Sequence, residues 1–237
     1  MAETTVSSDE ARAPTNQTSQ LYERMRAAIL ALELEPGRPL SERGLESAFG
    51  ASRTPARAAL ARLEGEGLVQ RSGRGWVVSP IDLGEIRALA EYREVLEAAA
   101  VRLAVQRASA ADFNAVRALL EAARPADEEA GVRAGGDFHS ELARLSGNEF
   151  LTAGVQAAMT RLARTRWLEV RTAKAREAAW REHAAILEAV ATRNADEAAR
   201  LVTEHVRGTN ERLIASLSAG HQAFRARGLA IVPEGTN

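Results

Sequence analysis

Apolar residues recur at helical spacing along most of this chain, and this pattern constrains its fold more than any other feature. The spacing runs from Leu21 through Leu32, and Pro36-Gly37 then ends the first predicted helix. Aromatic residues make up only 4% of the chain, and alanine supplies much of its 46% apolar content. This composition suits packed helices better than sheets, so the sequence predicts a mainly α fold.

One stretch near residue 70 breaks the helical pattern. Leu68-Val69 and Trp76-Val77-Val78 are short apolar runs on either side of Ser72-Gly73-Arg74-Gly75, which predicts a β-hairpin. Before this hairpin, Ser41 and Ser52 are placed to cap two further helices. The predicted order is helix, short helix, turn, helix and hairpin, which is the order of a winged helix-turn-helix.

The remaining chain divides by composition and periodicity. We predict a disordered tail at 1–18, a winged helix-turn-helix domain at 19–79, an all-α helical bundle at 80–217 and a loose tail at 218–237. From Asp82 onward only helical periodicity is found, and Gly135-Gly136 could interrupt one helix. The predicted helices of the bundle cover 82–107, 110–124, 127–145, 149–170, 174–192 and 195–217.

The charge of the first domain differs from that of the whole chain. The formal net charge is −1, which by itself does not indicate a nucleic-acid binder. Between Pro36 and Val78, however, seven arginines stand against four glutamates, a local excess of three positive charges. This distribution points to an electropositive surface on the predicted helix-turn-helix.

The third predicted helix carries the residues best suited to reading DNA. Arg53 and Arg57 are four positions apart and share a face near the helix start, the end that enters the major groove in a recognition helix. A guanidinium can donate two bonds to guanine, which contributes about 1–3 kcal/mol of discrimination. Ser52 and Thr54 can bond phosphate or a base edge, and the helix N-terminus itself favours phosphate.

Further candidates lie on the neighbouring elements. Arg43 is on the preceding helix and could reach the DNA backbone or a base. Gly73 and Arg74 at the hairpin tip could place a wing along the minor groove, where arginine is favoured. The alternative is that these arginines form only a solvated helix face, but their order along the chain favours an interface with double-stranded operator DNA.

The same stretch resembles the DNA-binding domain of GntR-family regulators over residues 20–78. The segments that carry the resemblance are Leu34–Gly37, Leu40–Glu42, Ser52–Leu60, Leu63-Glu64 and Glu66–Val69. The resemblance implies that Arg43, Arg53, Thr54, Arg57 and Gly73 contact DNA. One small departure is Ala56, where valine is usual.

Three of the four histidines lie beside apolar residues on different predicted helices of the bundle: His139, His183 and His205. Side chains from three helices can converge inside a bundle, and imidazole is the commonest metal ligand near neutral pH. Three histidines with a water or ligand oxygen would suit a divalent metal such as Zn²⁺ or Ni²⁺. The alternative is three separate core histidines, each hydrogen-bonded to a neighbour.

The second half of the chain is similar to the FCD effector domain of the FadR-like GntR subfamily over about 82–215. The segments that carry the similarity are Tyr92–Glu97, Asp137–His139, Ser146–Asn148, Glu182–Leu187 and Glu204-His205. In many members an aspartate four residues before the first histidine joins the three histidines as a metal ligand. Here that position is Gly135, and Asp137 lies on a different side of a regular helix, so the carboxylate ligand does not carry over.

The resemblance also implies an effector. The subfamily commonly senses small organic acids, which need cationic partners. Arg93, Arg161 and Arg164 are candidates, with Arg93 favoured, and we expect the three histidines and Asn148 to contribute to the effector site. Alternatively, Ser146 and Asn148 serve as helix caps.

The resemblance implies a non-enzymatic regulator that binds a dyad operator as a homodimer, with repression the commoner mode in the family. Rival interpretations are a metal sensor, a metal-dependent hydrolase using the three histidines, and an architectural DNA binder. No nucleophile elbow or HExxH pair supports an enzyme, and the balanced charge disfavours the architectural role. The chain has no cysteine, no visible signal peptide and no apolar run of about 20 residues, so we expect a cytoplasmic protein with no membrane partner.

Overall fold

The computed structural model describes residues 13–122, 128–226 and 228–233. Two compact units divide at Pro80 and Ile81, with residues 228–230 grouping with the first unit and the residues from Ile231 onward with the second. The prediction of a disordered tail lies outside the described residues as far as residue 12. From Ala13 it is wrong, because the first helix begins there.

The described residues of the first unit form three helices and a small antiparallel sheet. The sheet has the strand order β1-β3-β2, in which β2 and β3 form the predicted hairpin with Ser72 opposite Gly75. The elements are α1 (Ala13–Leu30), β1 (Pro39–Leu40), α2 (Glu42–Phe49), α3 (Arg53–Gly65), β2 (Val69–Ser72) and β3 (Gly75–Val78). This confirms the mainly α fold with an N-terminal winged helix-turn-helix.

Capping residues mark both ends of α2, whereas the predicted capping hydrogen bond at the start of α3 is not formed. Ser41 accepts a hydrogen bond from the Gly44 amide at 3.0 Å, and Gly50 ends α2 in the left-handed conformation, with φ 69°. Ser52 holds the N-cap position of α3, but its side chain makes no capping hydrogen bond, contrary to prediction. Its hydroxyl is therefore not committed to the helix.

A continuous core positions α3 against the rest of this unit. The fully buried side chains come from α1, α3 and the start of the hairpin: Met25, Ile29, Leu60, Leu63 and Leu68. Each such side chain contributes roughly 1.5–3 kcal/mol through burial. The inward face of α3 is thus anchored, which fixes the direction of its outward face.

The second unit is a helical bundle with one two-residue strand pair. Strand β4 (Ile81–Asp82) pairs in parallel with β5 (Ile231–Val232), which the sequence did not predict. The helices are α4 (Leu83–Arg107), α5 (Ala110–Ala122), α6 (Glu128–Arg144), α7 (Glu149–Leu162), α8 (Ala173–Ala191) and α9 (Ala195–Ala226). A short 3₁₀ helix (Arg166–Leu168) lies between α7 and α8.

Three sequence predictions for the bundle are corrected. Helix α7 ends at Leu162 rather than 170, because the chain tightens there and Thr165 Oγ1 donates to the Leu162 carbonyl. Helix α9 continues to Ala226, so the predicted loose tail is helical over its first part, where Phe224 is buried. Helix α6 runs through Gly135-Gly136 without interruption.

The bundle core is built mainly from small and branched apolar residues. Val101 and Ala104 of α4 and Val202 of α9 have no exposed surface, and Phe138 of α6 is equally buried. Alanines at these positions allow close approach between helices. None of the helices within the described residues is long and apolar enough to cross a membrane.

Candidate functional site

The outer face of α3 presents the predicted DNA-reading residues to solvent. Arg53, Thr54 and Arg57 are exposed, whereas Pro55 and Ala56 between them are buried. This alternation follows from the helical period, since positions four apart share one face. The two guanidinium groups therefore stand one turn apart on a face that the protein core does not cover.

Arg57 is held by a carboxylate on the preceding helix. Its Nε donates to Glu42 Oε1 at 2.5 Å while 71% of the Arg57 side chain stays exposed. The hydrogen bond and the charge of Glu42 raise the pKa of the Arg57 guanidinium. Sequence reasoning missed this pair, which joins residues 15 positions apart on the two helices of the motif.

The remaining predicted DNA contacts are also accessible. Arg43 on α2, Ser52 before α3 and Arg74 at the hairpin tip are exposed. Gly73 has a φ of 57°, a conformation that glycine adopts without strain in a tight hairpin turn. An additional cation lies on β2, where the Arg71 guanidinium stacks 3.7 Å from the ring centroid of Trp76.

The three histidines predicted to converge do so in the interior of the bundle. His139 of α6, His183 of α8 and His205 of α9 are all buried, and each offers a nitrogen within 4.8 Å of the others. The Nε2 atoms of His183 and His205 are 3.2 Å apart, and those of His205 and His139 are 3.3 Å apart. The three rings thus direct nitrogens toward one point.

Two carboxylates orient the rings from behind. His139 Nδ1 lies 2.7 Å from Glu97 Oε2, and His205 Nδ1 lies 2.6 Å from Glu182 Oε2. A neutral imidazole that donates its Nδ1–H to a carboxylate leaves a lone pair on Nε2. Carboxylate support of this kind is typical of metal-ligating histidines, and it leaves the Nε2 atoms of His139 and His205 facing each other as acceptors.

Burial keeps His139 and His183 neutral. It lowers the pKa of His139 to about 3, against the opposing pull of Glu97, and lowers the pKa of His183 well below its ordinary value. Burial alone would raise the pKa of Glu97, but Arg93 and His139 lower it to about 2. At neutral pH His139 and His183 are therefore uncharged imidazoles, and the Glu97 carboxylate beside His139 is ionised.

These residues fit a metal ion bound by three nitrogens. Ligand nitrogens about 2.0–2.1 Å from one ion lie roughly 3.0–3.4 Å from each other, which matches the two measured Nε2 separations. An aspartate ligand is missing: Gly135 has no side chain, and Asp137 is exposed on the other side of α6. Among the described residues, the cluster that could hold an ion consists of the three histidines.

A cavity of about 540 Å³ opens beside this cluster. His183 and His205 line it together with apolar side chains of α8 and the preceding turn. Its charged lining residues are Arg166, Lys174, Arg176 and Arg212, with Glu169 and Glu182. His139 lies behind His205 and does not line the wall. The cavity is large enough for a small organic ligand and offers that ligand both imidazoles and guanidiniums.

Other predicted effector residues lie elsewhere. Arg93 is buried and donates to Glu97 Oε1 at 2.7 Å, and it does not line the cavity. The Asn148 side chain caps α7 by accepting from the Phe150 and Leu151 amides, so the capping alternative holds for this residue. Neither residue belongs to the effector site proposed below.

The other two arginine candidates are separate from the cavity as well. Arg161 pairs with Glu85, and both Arg161 and Arg164 line a different, much smaller pocket. The cations that do line the cavity were not singled out as effector ligands from the sequence: Arg166, Lys174, Arg176 and Arg212. Nothing in the residues around Arg166 distinguishes it from the many other arginines on predicted helices.

Two different family models match the two units of the chain. Residues 17–78 match the model of the bacterial regulatory proteins of the gntR family, and residues 88–208 match the FCD domain. The Nta operon transcriptional regulator of Aminobacter aminovorans is 32% identical over 181 residues, covering 75% of this chain and 85% of that protein. The HTH-type transcriptional repressor RspR of Escherichia coli K12 is 27% identical over 203 residues, covering 84% and 88%.

Solved structures share the fold at low sequence identity. McbR/YncC of E. coli superposes with a TM-score of 0.70 at 20% identity, covering 84% of this chain and 98% of that one. A protein described as a putative transcriptional regulator GntR, from Rhodococcus sp. RHA1, gives a TM-score of 0.71 at 20% identity, covering 85% of this chain and 99% of that one. By its two domain matches and its curated relatives, the chain belongs to the GntR family of bacterial transcriptional regulators and carries an FCD domain.

Proposed function

We propose that this regulator represses transcription by binding a dyad operator as a homodimer, and that a small organic acid in the histidine-lined cavity controls its operator affinity. The observation that carries the proposal is the cavity itself, which combines about 540 Å³ of space with two imidazoles and three guanidiniums. Carboxylate groups find their preferred partners in such a set. The name of the E. coli relative, a repressor, supports the sign of regulation.

The operator interface of this proposal is the outer face of α3 with its neighbours. The exposed side chains of Arg53 and Arg57 would enter the major groove, and Ser52 and Thr54 would bond the backbone at the helix start. Arg43 on α2 and the Gly73-Arg74 tip would contact flanking phosphates or the minor groove. A single domain reads few base pairs, so two copies on two half-sites supply the affinity.

The cavity would hold the effector next to a divalent ion. His139, His183 and His205 would bind the ion through Nε2, with Glu97 fixing the tautomer of His139 and Glu182 that of His205. When bound, a Zn²⁺ or Ni²⁺ ion supplies a Lewis acid that attracts a carboxylate oxygen. Arg166 and Arg212 would orient the same ligand from the cavity wall, and apolar side chains would exclude water from it.

Effector binding acts on DNA affinity through a shift between conformations of the dimer. A ligand changes this equilibrium only by its difference in affinity for the DNA-binding and the free conformation. The coupling is reciprocal, so operator DNA must change effector affinity by the same factor. This reciprocity gives a test that does not require knowledge of the regulated genes.

In vitro selection from a random duplex library tests the proposal. We expect a consensus with dyad symmetry, and a panel of small carboxylates should contain members that raise the Kd for this consensus at least tenfold. The matched control is the same selection from the duplex library with the Arg53→Ala/Arg57→Ala variant, which should yield no consensus. A consensus without symmetry would contradict the homodimer, and a Kd unchanged by every carboxylate would contradict the effector.

A second candidate function is supported by the histidine cluster alone. If the ion is itself the signal, Zn²⁺ or Ni²⁺ should change operator affinity in the absence of any organic acid. Titrating the chelator-treated protein with each ion, on the selected duplex, separates the two functions. A change with ion alone would favour the metal-responsive regulator.

A further inference from the structure

The space beside Gly135, next to the histidine cluster, is filled by the guanidinium of Arg166. A Cβ built on Gly135 would overlap Arg166 Nη2 and would lie 3.2 Å from Arg166 Cζ and 3.7 Å from His183 Cε1. Glycine at 135 therefore makes the space that the Arg166 head group occupies. The chain has a cation beside the histidine cluster at a point where a carboxylate ligand could otherwise stand.

Arg166 has few partners for a buried cation. Only 6% of the residue is exposed, and its Nε has no hydrogen-bond partner among the described residues. Its Nη1 contacts Met159 Sδ at 3.6 Å, and the Glu169 carboxylate lies 3.8 Å away. A buried guanidinium needs several acceptors to offset its desolvation, and the cavity that it lines is where further acceptors can be supplied.

The charge balance of the cavity leads to the same conclusion. Within the described part of the chain, the charged residues that line the cavity are the cations Arg166, Lys174, Arg176 and Arg212 and the carboxylates Glu169 and Glu182. Four cations against two carboxylates leave an excess of two positive charges, and a divalent ion at the histidines would add two more. Anionic oxygen from outside the chain would offset part of this excess.

We propose that Arg166, seated in the space left by Gly135, anchors a carboxylate of the effector, so that the metal ion and this carboxylate bind interdependently. The inference rests on the proposed function, because it assumes an ion at the three histidines and an organic acid in the cavity. Arg166 is then the residue that makes ion affinity depend on the effector. An aspartate at position 135 would bind the ion directly and would remove this dependence.

Cobalt(II) with acetate is a suitable probe pair, because acetate competes weakly for aqueous Co²⁺ and the visible spectrum of Co²⁺ reports its coordination. We expect acetate to raise the Co²⁺ affinity of the chelator-treated protein at least tenfold and to change its visible spectrum. In Arg166→Gln the affinities with and without acetate should agree within twofold. The matched control is Lys174→Gln, which removes a positive charge from the exposed rim of the same cavity and should retain the tenfold effect.

A second variant keeps the test decisive if Arg166→Gln folds poorly. Gly135→Asp/Arg166→Gln replaces the cation with a carboxylate, and it should bind Co²⁺ tightly with no dependence on acetate. Circular dichroism of each variant checks its helix content. Equal acetate effects in wild type and Arg166→Gln, or an acetate-dependent double variant, would overturn the role of Arg166.

The outcomes separate this inference from the proposed function. Wild-type protein that binds no Co²⁺ with or without acetate would refute both the ion site and the role of Arg166. Acetate-dependent Co²⁺ binding that Arg166→Gln abolishes, combined with operator affinity that no carboxylate changes, would support Arg166 while refuting effector control of DNA binding.

Discussion

Glu97 bridges Arg93 and His139 in the centre of the bundle, and Glu97→Gln should destabilise the second unit by about 3 kcal/mol. The carboxylate is 2% exposed and accepts from Arg93 Nε at 2.7 Å. A pKa of about 2 rather than the ordinary 4.5 means that ionised Glu97 contributes about 3 kcal/mol to the free energy of unfolding at neutral pH, at about 1.4 kcal/mol per pH unit. This agrees with the cost of removing one partner of a buried pair, which is about 3–5 kcal/mol in general.

The same reasoning fixes the pH dependence. Because the folded-state pKa of Glu97 is lowered, its contribution is complete above pH 4.5 and is lost as the pH falls toward 2. The difference between wild type and Glu97→Gln should therefore shrink to about 2 kcal/mol at pH 3.5. Urea unfolding, monitored by tryptophan fluorescence, measures this difference in the free energy of unfolding. A Trp76→Phe background leaves Trp167 and Trp180 of the second unit as the reporters.

The matched control is Glu177→Gln, which makes the same chemical change in an exposed pair with Arg181. Exposed pairs contribute little, so we expect a difference of no more than about 0.5 kcal/mol there. All samples contain chelator, because an ion at His139 would add its own stabilisation. A Glu97→Gln difference below about 1 kcal/mol at neutral pH, or one that grows as the pH falls, would refute the reasoning.

Three further predictions concern DNA contact, metal binding and capping. Arg53→Ala and Arg57→Ala should each weaken binding to the selected duplex by about 1–3 kcal/mol in fluorescence anisotropy while leaving the thermal unfolding temperature within a few degrees; unchanged affinity would place these side chains off the DNA. His183→Ala should lower Zn²⁺ affinity more than about tenfold in equilibrium dialysis, and equal affinities would argue against a shared site. Asn148→Ala removes the α7 cap and should cost about 1 kcal/mol in urea unfolding, with no change in carboxylate binding; a loss of that binding would return Asn148 to the effector site.

The sequence predicted those features that follow from periodicity and from motif order. Helical spacing alone placed His139, His183 and His205 on inward faces of three helices, and the glycine-rich turn at Gly73 located the hairpin. It could not predict β1 or the β4–β5 pair, because a strand of two residues has no detectable alternation. The end of α7 was missed because no glycine or proline lies between Leu162 and Arg166.

The partners of the site residues were not predictable for a different reason. Glu97 and His139 are 42 positions apart, and Glu182 and His205 are 23 apart, so only the packing of helices brings each pair together. Arg166 reaches the cavity because the chain leaves α7 early and turns through a 3₁₀ segment. The chemistry of the cavity wall therefore depends on where one helix stops, which local propensity determines poorly.

The contact between Arg57 and Glu42 bears on how this regulator searches a chromosome. A guanidinium already engaged by a carboxylate offers less attraction to an arbitrary phosphate, so encounters at random sequences displace fewer counterions and are shorter-lived. In the proposed DNA contact, a base edge with two acceptors would have to replace the Glu42 carboxylate as the partner of Arg57. An acidic neighbour that weakens encounters with random sequences more than binding to the operator would then widen the ratio between the correct site and the many wrong ones.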